Sequence, residues 1–171
     1  LKKELRKVID DTKARYERGE SPVKKDAPRI LITGSPIGGC TNKIINTIEE
    51  SGGSIVAYEL CSSIRNNREL VDENNPDVYD ALAKKYLNIG CACMMNNDKR
   101  VELLGDLIEE FNIDGVIDVA LQSCHPFSVE GNRINEFVVN DKNIHYMAIE
   151  TDYSQSDTEQ LRTRFEAFIE M

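Results

Sequence analysis

Arg29-Ile-Leu-Ile-Thr33, then Gly34-Ser35-Pro36-Ile37-Gly38-Gly39-Cys40-Thr41, then a helical stretch and Ser54-Ile-Val-Ala-Tyr-Glu-Leu60, is the passage that decides the fold. The first run is apolar and bounded by Pro28 and Gly34, which reads as a short buried strand. A glycine-rich turn follows, then a helix with Ile44, Ile45 and Ile48 on one face that ends at Ser51-Gly52-Gly53. The run from Ser54 is a second strand. A strand–loop–helix–strand unit predicts two parallel strands joined by a right-handed crossover.

Further along, Gly115-Val-Ile-Asp-Val-Ala-Leu121 reads as a third strand and Ile144-His-Tyr-Met-Ala-Ile-Glu150 as a fourth. Between the second and third strands the spacing predicts a helix capped by Asn75, with Pro76 in its first turn and Val78, Leu82, Tyr86 and Leu87 as its apolar face. It predicts another from about Asp98 to Phe111, and one near Val129 to Val139, between the third and fourth strands. Ser156-Asp-Thr-Glu159 fits a capping box opening a last helix, with Leu161, Phe165, Phe168 and Ile169 inward. The sum is an α/β fold: a small doubly wound parallel sheet of about four strands, flavodoxin-like, with an N-terminal helix. That first helix covers Leu1 to about Arg18, with Leu1, Leu5, Val8, Ile9 and Tyr16 at helical spacing, and a polar linker follows Gly19. Residues 1–22 are read as helix and linker, and 23–171 as the α/β domain. The chain opens on Leu-Lys-Lys-Glu inside a helical pattern without a methionine, which reads as part of a longer protein.

Composition narrows the function. With 171 residues, 40% hydrophobic and 30% charged, this is one ordinary globular domain. A net charge of −9 weighs against nucleic acid as a partner, because phosphate contacts need a basic patch. No apolar run approaches the ~18 residues of a membrane span, and no secretion signal is visible. Five cysteines without a disulfide-framework spacing read as reduced thiols in a cytoplasmic protein.

Sheets of this kind bind ligands beyond the carboxyl ends of their strands. The loops there are 34–41, 59–68, 122–130 and 150–157, and they gather Glu59, Arg65, Gln122, His125, Glu150 and Asp152. The central one is Gln122-Ser-Cys124-His125-Pro-Phe-Ser-Val-Glu130, where a thiol and an imidazole end a buried strand. In the turn at Gly34, Ser35, Gly38 and Gly39, glycines let backbone N–H groups approach an anion. A plain tight turn is the other reading, since neither G-x-G-x-x-G nor a P-loop is present. Cys61, Cys91, Cys93 and Cys124 lack zinc-knuckle or ferredoxin spacing. Single thiols on separate loops suit a cluster assembled in space between strand ends or domains. The alternative is small apolar side chains, with Cys91 and Cys93 packed beside Met94 and Met95. Cys124-His125 makes a poor hydrolytic pair, because adjacent side chains diverge. His145 reads as structural, and Arg162 and Arg164 as anion ligands or partners of the acidic surface.

Several blocks resemble one family. They are Gly34-Ser-Pro-Ile-Gly-Gly, Glu59-Leu-Cys61 with Arg65, and Tyr86-Leu87 leading to Cys91-Ala92-Cys93 and Arg100. Then come Asp114-Gly-Val-Ile117, Cys124-His125 with Glu130, and Ile149-Glu-Thr-Asp-Tyr-Ser154 running to Gln160-Leu-Arg-Thr-Arg-Phe-Glu-Ala-Phe168. Over residues 29–171 the chain resembles the iron–sulfur D-component of the (R)-2-hydroxyacyl-CoA dehydratases, with the related benzoyl-CoA reductases and double-cubane cluster proteins. The family pattern has proline inside the Cys-x-Cys pair, where this chain has Ala92.

The resemblance implies the C-terminal one of two similar α/β domains. It implies a 4Fe–4S cluster in the full-length parent, held by cysteines from both domains and absent from this portion alone. Cys124 is the best match to a ligand, with Cys61 and Cys93 as weaker ones. The substrate-binding group would be Gly34, Ser35, Gly38, Gly39, Glu59, Arg65 and His125. The implied reaction removes water from a 2-hydroxyacyl-CoA through a ketyl radical. Implied partners are a paralogous dehydratase subunit, an ATP-dependent activator protein and the acyl-CoA substrate. A double-cubane or benzoyl-CoA reductase-type ATP-dependent reductase is the near alternative. A cluster-free binding or assembly module of the same fold is the distant one.

Overall fold

The structure, a computed structural model, describes residues 1–94 and 96–171. Met95, part of the proposed packing for Cys91 and Cys93, lies outside the described residues. In chain order the elements are α1 (Lys2–Glu17), β1 (Arg29–Gly34), a 3-10 turn (Gly38–Cys40), α2 (Thr41–Glu50), β2 (Ser54–Glu59), α3 (Ile64–Asn67), α4 (Val78–Leu87) and α5 (Asp98–Phe111). They continue with β3 (Gly115–Leu121), α6 (His125–Glu136), a π turn (Phe137–Asp141), β4 (His145–Thr151) and α7 (Thr158–Ile169). The sheet runs β2-β1-β3-β4 and every pairing is parallel. This is the doubly wound arrangement expected from the sequence, with the winding direction reversing between β1 and β3.

The strands are apolar on both faces because both faces are covered. Ile30, Ile32, Ile117 and Val119 pack with Ile44 and Ile48 of α2 and with Leu161, Phe165 and Phe168 of α7. On the other face Leu31, Ala57 and Val116 meet Leu104, Leu107 and Ile108 of α5, together with Ile134 and Val138.

At the β1/β3 junction Gly34 has φ +120°, and a side chain there would collide with the Val119 carbonyl and lie 2.7 Å from Asp118 Oδ1. Ser35 extends the same seam: its N–H donates to the Val119 carbonyl at 2.8 Å and its Oγ accepts from Leu121 N–H at 2.9 Å. A single cation closes the far side of the domain. Lys43 Nζ is buried and donates to Thr151 Oγ1 (2.7 Å), the carbonyls of Asp152 (3.1 Å) and Ser154 (2.8 Å), and Asp157 Oδ1 (2.6 Å).

Four local expectations change. The cap of α4 is Asp77, which accepts from Tyr79 and Asp80 N–H, while Asn75 instead accepts from Asp77 N–H. All four residues of α4's expected apolar face, Val78, Leu82, Tyr86 and Leu87, stand exposed, and Ala81 is the buried residue. The capping box at Ser156 does not form, because Asp157 occupies the cap position and its carboxylate serves Lys43 and Thr151. Helix α6 starts at His125, not near Val129, since Pro126 suits a first turn. As for Arg162 and Arg164, the first pairs with Glu50 at 2.9 Å and the second donates to the Ala148 carbonyl at 2.7 Å. No helix among the described residues is long and apolar enough to cross a membrane.

Two stability predictions follow from these contacts. Gly34→Ala loses at least about 2 kcal/mol in urea unfolding, from the disallowed backbone and the clash with Val119. Lys43→Met loses about 3 kcal/mol in the same measurement, because it strands the Asp157 carboxylate.

Candidate functional site

The site is built on a buried ionic lattice. Glu59 ends β2 with its carboxylate wholly buried. Its Oε2 accepts from Thr33 Oγ1 at 2.5 Å, Arg65 Nη2 at 2.6 Å and Arg100 Nε at 3.2 Å, and its Oε1 pairs with Arg65 Nε. Arg100 donates from Nη2 to Thr33 Oγ1 at 2.8 Å and from Nη1 to Glu130. The second oxygen of Glu130 accepts from Asn97 Nδ2 at 2.5 Å. The Phe127 ring packs against both guanidiniums, with centroid distances of 5.4 Å to Arg65 and 5.0 Å to Arg100. Two cations thus meet two carboxylates. Burial works to lower the pKa of Arg65, but its bonds to Glu59 and its contact with Cys61 win and raise it.

Each helix held by this lattice begins beside a thiol. Cys61 precedes α3, and Arg65 Nη1 donates to its Sγ at 3.2 Å. Cys91 and Cys93 precede α5, which carries Arg100. Cys124 is the N-terminal cap residue of α6, which carries Phe127 and Glu130. The exposed Cys93 thiol is pushed up chiefly by the neighbouring Cys91, with smaller contributions from Cys124 and Cys61 on the other loops. Among the described residues, no three His, Cys, Asp or Glu side chains gather closely enough to hold a metal ion. Cys40 stands apart. Its Sγ donates to the Ile37 carbonyl at 3.0 Å, and burial pushes its thiol up, so it serves as a core side chain.

The other residues singled out in the sequence fall into two groups. Glu59, Arg65, Gly34 and Ser35 are buried and bonded within the protein. His125 is exposed at the start of α6 and lines an open cleft of about 650 Å³ with Ala92, Met94, Pro126, Val129 and Glu130. Gly38 is exposed in the β1–α2 turn, and the neighbouring Gly39 leaves room for the Tyr153 ring. Gln122, Glu150 and Asp152 are exposed along the same rim. His145 is exposed at the opposite end of β4.

The family model for the 2-hydroxyglutaryl-CoA dehydratase D-component matches residues 1–171. The chain belongs to this family. Among curated relatives, it is 54% identical over 144 residues to "Putative dehydratase subunit YjiM" of Escherichia coli (strain K12), covering 84% of this chain and 37% of that protein. It is 26% identical over 167 residues to the (R)-phenyllactyl-CoA dehydratase beta subunit of Clostridium sporogenes, covering 97% of this chain and 42% of that one. The chain therefore spans less than half the length of either relative.

In this D-component chain, sequence reasoning missed Lys43, Thr33, Asp118 and Tyr146. Asp118 had a signal: a carboxylate between Ile117 and Val119 in a strand buried on both faces must have a polar reason to be there. Lys43 had a weaker one, a lysine directly before Ile44 on a helix otherwise packed through Ile44, Thr47 and Ile48. Arg100 appeared in the sequence only as part of a family block, and Glu130 only in such a block and as the end of the 122–130 stretch, and their pairing needs the folded chain.

If the lattice holds the thiol loops together, Arg100→Leu destabilises the domain by about 3–5 kcal/mol, because it strands Glu59 and Glu130. Urea unfolding reads that loss, and the alkylation rate at Cys124 rises with it under native conditions.

Proposed function

We propose that this chain is the C-terminal part of the iron–sulfur subunit of an (R)-2-hydroxyacyl-CoA dehydratase, removing water from a 2-hydroxyacyl-CoA through a ketyl radical in the cytoplasm. The observation that carries this reading is the family match over the whole chain, with Cys61, Cys91, Cys93 and Cys124 all on loops that lead into α3, α5 and α6. Thiols are the donors an iron–sulfur cluster requires. Cys124, half-buried at the head of α6, is the first candidate ligand, and Cys61 and Cys93 are the next. Because no three ligands gather among the described residues, the rest of the coordination would come from elsewhere in the longer subunit. When bound, a 4Fe–4S cluster with an open iron would supply low-potential electron transfer and Lewis-acid contact to the thioester.

The chain's own residues would do three things. The lattice of Glu59, Arg65, Arg100 and Glu130 would fix the thiol loops without offering a mobile charge to the substrate. The cleft at Pro126, Val129 and Met94 would take the apolar part of the acyl group beside Cys124, with His125 at its edge. The exposed turn at Gly38 and Gly39 would present backbone N–H groups to an anionic part of the CoA. A paralogous subunit and an ATP-dependent activator would complete the system. Such a partner is consistent with the Clostridium sporogenes relative being a beta subunit.

Iron and acid-labile sulfide, measured on the anaerobically purified full-length protein and its Cys124→Ala variant, test this reading. The wild type is expected to be brown, bleached by air, and to lose most of its iron in the variant. A colourless wild type overturns the proposal, and unchanged iron in the variant removes Cys124 from the ligand set. Iron and sulfide amounting to two cubanes per subunit would favour the double-cubane reductase instead.

A further inference from the structure

Asp118 lies in β3, next to the lattice but outside it. Its side chain is buried, its Oδ1 has no hydrogen-bond partner among the described residues, and its Oδ2 is 2.9 Å from Tyr146 Oη. Tyr146 belongs to β4, and the same Oη is 3.2 Å from the Gly131 carbonyl in α6. A phenol has one proton, and a carbonyl oxygen only accepts. If Tyr146 donates to Gly131, its bond to Asp118 needs a proton that Asp118 supplies.

The surrounding charges agree with that count. Arg100 faces Asp118 from α5, but its hydrogen bonds go to Glu59, Glu130 and Thr33, and none reaches Asp118. Arg65 is likewise taken up by Glu59, Cys61 and the Gly34 carbonyl. Glu59 from β2 and Glu130 from α6 repel a further anion. No salt bridge to Asp118 occurs among the described residues, and the two arginines are balanced by the two glutamates. Burial pushes the Asp118 carboxyl up, and Glu59 and Glu130 add to this against the pull of Arg100 and Tyr146. An ionised Asp118 would leave a charged, buried oxygen unpaired at Oδ1, whereas the neutral acid leaves only a carbonyl there.

We propose that Asp118 is a positioning residue held as the neutral acid, whose proton runs through Tyr146 to the Gly131 carbonyl and so sets the seat of α6 and of Cys124 at its head. The pin joins β3, β4 and α6. When Asp118 ionises, the Tyr146 proton turns to the carboxylate and the bond to Gly131 is released. The positions of Cys124 and His125 then depend on a buried proton about two turns along the helix from Cys124. This holds whatever reaction the thiol rim serves.

The test is a pH titration by NMR of the full-length protein, carboxyl-labelled at aspartate and amide-labelled at Gly131 and Cys124. The Asp118 carboxyl carbon is expected to titrate above the ordinary ~3.9 of aspartate, and the Gly131 and Cys124 amides to shift with the same midpoint. In Asp118→Asn the amide group donates to Tyr146 in place of the acid, so both shifts should become flat with pH while α6 stays seated. The sign of the stability effect is fixed as well. A raised carboxyl stabilises the fold below the ordinary aspartate range and loses that contribution as pH climbs through its own midpoint. The melting temperature of Asp118→Asn should therefore gain on the wild type as pH rises. An Asp118 midpoint at or below ~3.9, or Gly131 and Cys124 amides indifferent to it, overturns the proposal. Both readings come from the wild type, even if the variant fails to fold.

Discussion

The Glu59 carboxylate is the point on which the rest of the rim depends. It takes bonds from a strand neighbour and from two arginines on different helices, in a place without water to replace any of them. A lone buried carboxylate would cost several kcal/mol, and the paired lattice cancels most of that. What such a lattice contributes is less net stability than uniqueness. Apolar packing could seat α3, α5 and α6 in several registers with similar energy, while the fork of each guanidinium accepts one. Phe127, packed against both guanidiniums, adds an apolar wall beside the ion pairs.

The geometry also separates support from chemistry. The residues with the strongest electrostatics, Glu59, Arg65 and Arg100, face inward, whereas the softer groups, Cys93, Cys124 and His125, stand at or near the surface. Lys43 performs the equivalent service on the other face, tying α2 to the β4–α7 loop through side-chain and carbonyl oxygens. The rim is thus held from both faces of the sheet by cations whose hydrogen bonds are already made.

The strands were legible because a sheet covered on both faces writes itself as short apolar runs, and the order of strands and helices left few topologies to choose from. The rim was legible for a similar reason, since in such sheets it lies where the strands end. Helix ends were harder. Asp77 outcompeted Asn75 because its carboxylate reaches two free N–H groups, and the Ser156 box lost to Asp157, whose oxygens had a cation to bind. Neither contest can be decided from local sequence. The lattice was out of reach for a different reason: Glu59 and Arg100 are 41 positions apart, and nothing in a linear pattern marks which arginine meets which glutamate. Glu59 and Arg65 read as ligand-binding groups because they stand at strand ends, yet their charges are directed at each other and at Arg100.

The strand order has a consequence for how the chain is assembled during synthesis. β2 lies on one side of β1, β3 joins the other side of β1, and β4 joins β3. Each new strand after the first pair is laid on an open edge, so no pairing already made has to be broken to admit a later one. The seam between β1 and β3 nevertheless waits for a long stretch of chain, since Arg29 N–H meets Asp114 across 85 positions and Ser35 meets Leu121 across 86. Closing such a loop early is entropically unfavourable. Cys61 and Cys124 sit on opposite sides of that seam, and their loops come to the same edge of the sheet only after it closes. A nascent chain released from the ribosome as far as α3 therefore presents Cys61 without the loops of Cys91, Cys93 and Cys124, and the shared rim arises as a property of the finished sheet.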